Sequence, residues 1–187
     1  MTDQVSFAQR NGEMPYPESG NRFEVKMESK KSRVLVIGLG NPILGDDGVG
    51  WRIAGEVKKQ LLSDSPVDVD CLSLGGISLM EHLIGYDRAI LIDAFALEEP
   101  IGSILILKLS DLPNYSAFHI TSAYDISLQS AIELGKSMGA QLPGDVTVVG
   151  VVTKHVCDFS KALSPPVADA VPQAAHIVLD LLKQTIR

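Results

Sequence analysis

Cysteine is nearly absent from this chain. Cys71 and Cys157 are the only two in 187 residues, far apart and outside any C-x-x-C pair. That usage excludes a disulfide framework and a cysteine-based zinc site, and both thiols read as buried and reduced in a cytosolic protein. Positive charge is also in short supply. Sixteen Lys and Arg stand against 23 Asp and Glu, net −7, with no dense basic run. Tight nucleic-acid binding is therefore disfavoured. No apolar run reaches about 18 residues, so no transmembrane span is expected. The first residues lack the apolar segment of a signal peptide. Residues 1–31 are polar, rich in Gly, Pro and charge, and without periodicity. They are expected to form a flexible or loosely docked extension. Residues 32–187 are expected to fold as a single α/β domain, long enough to bury a full core unaided.

What is present is an alternation of strand and helix patterns. Arg33–Gly38 is an apolar, β-branched run and reads as a buried strand. From Asp47 to Leu62, Val49, Ile53, Val57 and Leu61 recur every four residues, one face of a helix, with Asp46 placed to cap it. Val67–Leu72 is a second strand and Ile77–Ile84 a short helix after the Gly75-Gly76 turn. Arg88–Ile92 is a third strand, ending at Asp93. Ser103–Leu109 is a fourth, joined to the third by a connection too short for a crossover helix and therefore expected to pair antiparallel. Residues 110–124 look irregular, and Asp125–Met138 reads as a helix. Asp145–Val152 is a fifth strand, and a last helix starts at Ser164-Pro165-Pro166 and reaches about Lys183. The order predicts a doubly wound, mostly parallel five-stranded sheet with helices on both faces and one antiparallel strand. Such sheets bind ligands beyond the carboxyl ends of their strands, where strand order reverses. With strand order 2-1-3, Asp47 after the first strand and Asp93 at the end of the third share one crevice, although about 46 positions separate them.

The loop after the first strand is glycine-rich, yet it does not fit a phosphate. A dinucleotide fingerprint needs G-x-G-x-x-G; Gly38 and Gly40 fit, but Ile43 stands at the third place. A P-loop ends in Gly-Lys-Ser/Thr, whereas Gly45 is followed by Asp46 and Asp47. Two carboxylates in the field of a helix start repel an anion and attract a cation. An aspartate there can also serve the helix alone, and one at a strand end can merely satisfy backbone donors. H-E-x-x-H is missing, and neither a Ser-His-Asp nor a Cys-His constellation can be assembled.

The pattern G-x-G-N-x-x-x-x-D-D-G-x-G over Gly38–Gly50, followed by "GGISLMEHLIGYDRAILIDAF", resembles the nickel–iron hydrogenase maturation proteases. The resemblance continues through "SAYDISLQSAIELGKSMG", "VTVVGV" and "LSPPVADAVPQAA", and covers residues 33 to about 183. It implies a cytoplasmic endopeptidase that clips a C-terminal extension from the hydrogenase large-subunit precursor once nickel is inserted. It also implies a metal-binding trio of two acids and a histidine that recognises the nickel of the substrate. By motif position the acids are Asp47 and Asp93, either of which could also activate water as a general base; alternatively the metal polarises the scissile carbonyl. In the family pattern S-x-H-D-x-S-L the histidine's place is held here by Tyr124, a poor ligand beside imidazole. His119, five residues upstream, is the substitute named for the shell, with His155 after the fifth strand as another candidate. His82 and His176 fall in helices and read as structural or surface residues. Asn41, Gly76 and Tyr124 are the expected substrate-binding positions. The expected metal is the precursor's own nickel, with no permanently bound ion, although a divalent cation could occupy the site. The expected partner is the large-subunit precursor, met by a monomer without nucleic acid or membrane.

Two other readings remain. Tyr124 is compatible with a maturation chaperone that holds metal or precursor without cutting. The "VIGLGNP" opening also resembles peptidyl-tRNA hydrolases, but their T-R-H-N-x-G continuation is replaced by Gly45-Asp46-Asp47-Gly48, and net charge −7 suits tRNA badly.

Overall fold

The central strands are apolar on both sides, which only a sheet covered on both faces can accommodate. In the computed structural model, which describes residues 32–112, 126–154 and 159–184, β1 (Val34–Leu39) is buried at all six positions. β3 (Arg88–Ala96) and β5 (Asp145–Thr153) are buried along most of their length. β2 (Val67–Leu72) and β4 (Ile104–Lys108) complete a five-stranded sheet of order β2-β1-β3-β5-β4. All pairs are parallel except β4 with β5. The two edges are the more exposed strands, and Asp68 and Asp70 on β2 put charge where a bare edge would otherwise invite pairing.

α1 (Val49–Gln60) and α4 (Pro165–Lys183) cover one face. There Val34, Val36, Ile90, Ile92, Val149 and Val151 meet Ile53, Val57 and Val178 in one core. α2 (Gly76–His82) and α3 (Leu128–Ser137) cover the other, where Leu35, Ile37, Leu91 and Val148 meet Leu79, Leu83 and Leu128. Each such side chain taken out of water contributes roughly 1.5–3 kcal/mol. The doubly wound prediction thus holds, and the expected antiparallel strand is β4, paired with β5. β4 does not lie beside β3; β5 is inserted between them. The 97–103 connection crosses the end of β5, where Gly102 N–H donates to the Val152 carbonyl at 2.9 Å and Val152 N–H donates to that of Ser103 at 2.9 Å.

Two element ends also differ from the sequence reading. The helix expected from Asp47 starts at Val49, and Gly45–Gly48 forms a separate 3₁₀ turn. β3 does not stop at Asp93 but runs on to Ala96, because β5 continues beside it from Asp93 opposite Gly150 to Ala96 opposite Thr153.

At the far end of the sheet, Asp145 joins three strands. Its carboxylate accepts from Arg88 Nη2 at 2.9 Å and from Lys108 Nζ at 2.5 Å. The Lys108 bond foremost, working against partial burial and helped by Arg88, holds the Asp145 carboxyl below its ordinary value of 3.8. A depressed carboxylate stabilises the fold above the unfolded-state value, and that contribution disappears as pH falls through the folded one. Asp145→Asn is therefore expected to lower unfolding free energy by about 1 kcal/mol at pH 7, a screened and partly exposed network. Urea titrations of both forms should show the difference shrinking as pH falls below 3.8 and vanishing once pH is below the folded-state value.

Candidate functional site

Gly38 and Gly50 decide how the site is put together. A Cβ on Gly50 would overlap the carbonyl oxygens of Leu39 and Ile92, and one on Gly38 would overlap the Gly50 carbonyl. Bare backbone at both positions lets the first turn of α1 rest directly on the ends of β1 and β3. The close packing that the absent third glycine of a dinucleotide loop would have supplied is achieved here by Gly50. Gly40 makes the chain turn: its φ is 123°, and a Cβ there would overlap the Asp47 carbonyl. Only glycine combines that dihedral with that approach.

The turn carries Asp47 to the carboxyl end of β1. Asp93 is one residue past the last β1–β3 pair, Gly38 with Ile92. On its other side Asp93 pairs with Gly150 of β5. Gly50, one helical turn after Asp47, touches the carbonyl of Ile92, the residue before Asp93. The two sequence-distant aspartates thus stand toward the same carboxyl edge of the sheet, Asp47 in the turn after β1 and Asp93 within the last four residues of β3. Both are buried, Asp47 at 1% and Asp93 at 0% exposure. Asp47 Oδ2 accepts the Asn41 N–H at 2.7 Å, and Asp93 Oδ1 accepts the Ala94 N–H at 2.9 Å. Asn41 Oδ1 in turn accepts the Ile43 N–H at 3.2 Å and stiffens the loop. Gly76, buried with φ of 49°, opens α2 shortly after β2, at the same carboxyl end of the sheet.

Asp46 is not the cap of α1. Gly48 holds that place, and the Asp46 carboxylate, 1% exposed, turns into the protein. It accepts the Thr153 hydroxyl at 2.7 Å, the Ser164 N–H at 2.6 Å and the Ser164 hydroxyl at 2.8 Å. Sequence reasoning missed this anchorage; the serine before the Pro165-Pro166 helix start was the available signal.

His119, Tyr124, His155 and Cys157 lie outside the described residues. Among the described residues, no group of three His, Cys, Asp or Glu side chains comes together as a metal cage. His82 and His176 are exposed on helices; His82 Nδ1 lies 2.8 Å from the Ser78 carbonyl, and His176 pairs with Asp180 at 3.3 Å. Cys71 is a free, half-buried thiol whose pKa is raised mainly by burial, with Asp70 adding and Lys58 opposing. A raised thiol is a poor nucleophile at neutral pH. A cavity of about 220 Å³ lined by Lys108, Gln129, Lys136 and Asp145 lies at the opposite end of the sheet from Asp47 and Asp93.

Fold and rim define a doubly wound α/β protein with two buried aspartates near the topological switch point, where this architecture does its chemistry. The chain belongs to the hydrogenase maturation protease family, whose model (HycI) matches residues 51–181, and it is an endopeptidase of that family. A hydrogenase 2 maturation peptidase from a Thaumarchaeota archaeon superposes with a TM-score of 0.61 and 30% identity, over 81% of this chain and 99% of the other. The hydrogenase maturating endopeptidase HybD of Escherichia coli shares the fold, with a TM-score of 0.63 and 23% identity over 81% and 93%. The hydrogenase 2 maturation protease of Escherichia coli is 25% identical over 154 residues, 82% of this chain and 92% of that one. No helix among the described residues is long and apolar enough to cross a membrane.

Proposed function

We propose that this endopeptidase removes the C-terminal extension of a nickel–iron hydrogenase large-subunit precursor, and that it acts in the cytoplasm after nickel has been inserted. Asp47 and Asp93 grip the nickel carried by the precursor, with an imidazole from His119 completing the shell. Asn41, Gly76 and Tyr124 bind the chain around it. The observation that supports this reading most is the burial of Asp47 and Asp93 toward the carboxyl ends of the neighbouring strands β1 and β3. Two carboxylates withdrawn from water cost several kcal/mol unless hydrogen bonds or a cation compensate them. Carboxylate and imidazole donors suit a divalent transition metal, with geometry rather than raw affinity setting the choice.

A grip on precursor-borne metal would fix the scissile peptide against the crevice, converting a bimolecular encounter into a positioned one. One carboxylate is then placed to take a proton from attacking water.

The test is the mass of a purified large-subunit precursor incubated with this chain. Nickel-loaded precursor should lose the mass of a C-terminal peptide, while nickel-free precursor should keep its full mass. Loss of the peptide from both forms would end the metal-recognition part of the proposal. An unchanged mass in a stable complex would replace cleavage by a holding role.

A further inference from the structure

Asp46 and Asp47 are neighbours in one 3₁₀ turn, yet their carboxylates are held by different parts of the molecule. Asp47 accepts the N–H of Asn41, six positions earlier. Asp46 is bonded to residues more than 100 positions away. Thr153 is the last residue of β5, and Ser164 immediately precedes α4. The Ser164 hydroxyl makes no cap bond within its own helix and donates to Asp46 instead. The carboxylate thus sits at the start of a 19-residue helix, where the dipole favours negative charge. Further bonds stitch the same segments together. Gly45 N–H donates to the Ser160 carbonyl at 2.7 Å, Ser160 N–H to that of Ile43 at 3.1 Å, and Arg52 Nη2 to that of Lys161 at 2.9 Å.

These bonds close a circuit. Asp46 is tied to Thr153, Thr153 pairs with Ala96, and three residues earlier in the same register Gly150 pairs with Asp93. The backbone joins Asp46 to Asp47. From this circuit we infer that Asp46 is a positioning residue for the cleavage reaction. Its buried carboxylate locks the Asp47 turn onto β5 and α4, and so sets the placement of Asp47 relative to Asp93. The inference rests on the reading of Asp47 and Asp93 given above.

The chemistry of the three donors supplies a discriminating test. Two of them are hydroxyls, which can rotate to accept as readily as they donate. An asparagine at 46 can therefore keep the Ser164 N–H on its oxygen and offer its amide to both hydroxyls. Alanine can keep none of the three bonds. Cleavage of the nickel-loaded precursor is measured at a temperature well below each variant's melting point. Asp46→Ala is expected to lower kcat/KM by about 50-fold, and Asp46→Asn to recover it to within about fivefold of wild type. Asp47→Asn, which removes a charge from the proposed metal grip, is expected to fall by at least about 100-fold. Thr153→Val cuts the tie of Asp46 to β5, spares both Ser164 bonds, and guards against an Asp46→Ala that fails to fold; about a tenfold loss is expected. An Asp46→Ala or Thr153→Val with wild-type kcat/KM, beside an inactive Asp47→Asn, overturns the inference alone. Asp46→Asn as damaged as Asp47→Asn also overturns it, since Asp46 would then act on substrate directly. Wild-type activity in Asp47→Asn removes the underlying site reading, and this inference with it.

Discussion

Asp93→Asn is expected to cut cleavage of the nickel-loaded precursor by at least about 100-fold while leaving the fold intact. The substitution is nearly isosteric and keeps an oxygen to accept the Ala94 N–H, the bond that Asp93 Oδ1 makes now. No cavity opens and no bulk is added, so neither a void nor overpacking destabilises the variant. What disappears is one negative charge at the rim. A hundredfold loss corresponds to about 2.7 kcal/mol of transition-state stabilisation. That is a reasonable share for one carboxylate on a metal-bearing substrate. Thermal melting and steady-state kinetics on the same preparation separate the two effects. Undiminished processing with an unchanged melting point would remove Asp93 from the site. A large drop in melting point would instead assign the buried carboxylate to the fold.

The placement of Asp93 shows how far the sequence could be read. Its crevice followed from topology: the helix between β1 and β2 and the one between β2 and β3 lie on opposite faces, and right-handed crossovers then make β1 and β3 neighbours. Periodicity located most strands and helices to within a residue or two, since each buries a regular stripe or run. The misplaced features were those set by distant partners. An acid after an apolar run reads as a strand terminus at Asp93, but β5 keeps the strand going to Ala96. Asp46 looked like a helix cap because the pattern around it is local, whereas its acceptors are engaged by Thr153 and Ser164. The insertion of β5 between β3 and β4 was invisible for the same reason: a short loop announces antiparallel pairing but not with which strand. Gly50 belongs to this class as well, since its role is defined by the carbonyls of Leu39 and Ile92.

Gly50 yields the second large effect, and its own helix supplies the control. Gly50→Ala is expected to lower unfolding free energy by about 3 kcal/mol or more, the upper range for overpacking. The added methyl would meet backbone on two strands, the Leu39 and Ile92 carbonyls, and lie 2.9 Å from the Leu39 nitrogen. Neither strand can yield, because both are hydrogen-bonded within the sheet. For a domain of this size, that loss lowers the melting temperature by about 6–12 °C. Gly55 is five residues further along α1, and a Cβ there meets nothing within 4 Å. Gly55→Ala removes backbone freedom from the unfolded chain and should stabilise by about 0.5–1 kcal/mol. The same substitution in the same helix therefore has opposite signs at the two positions, which helix propensity alone cannot produce. Cleavage should follow the difference. To relieve the clash, α1 must lift from the strand ends, carrying the Asp47 turn with it, so Gly50→Ala should lose activity even where it remains folded. Gly55→Ala, remote from the rim, should cleave at the wild-type rate. Equal stabilisation of the chain by both substitutions would mean that α1 does not rest on the ends of β1 and β3, and the shared rim of Asp47 and Asp93 would lose its support.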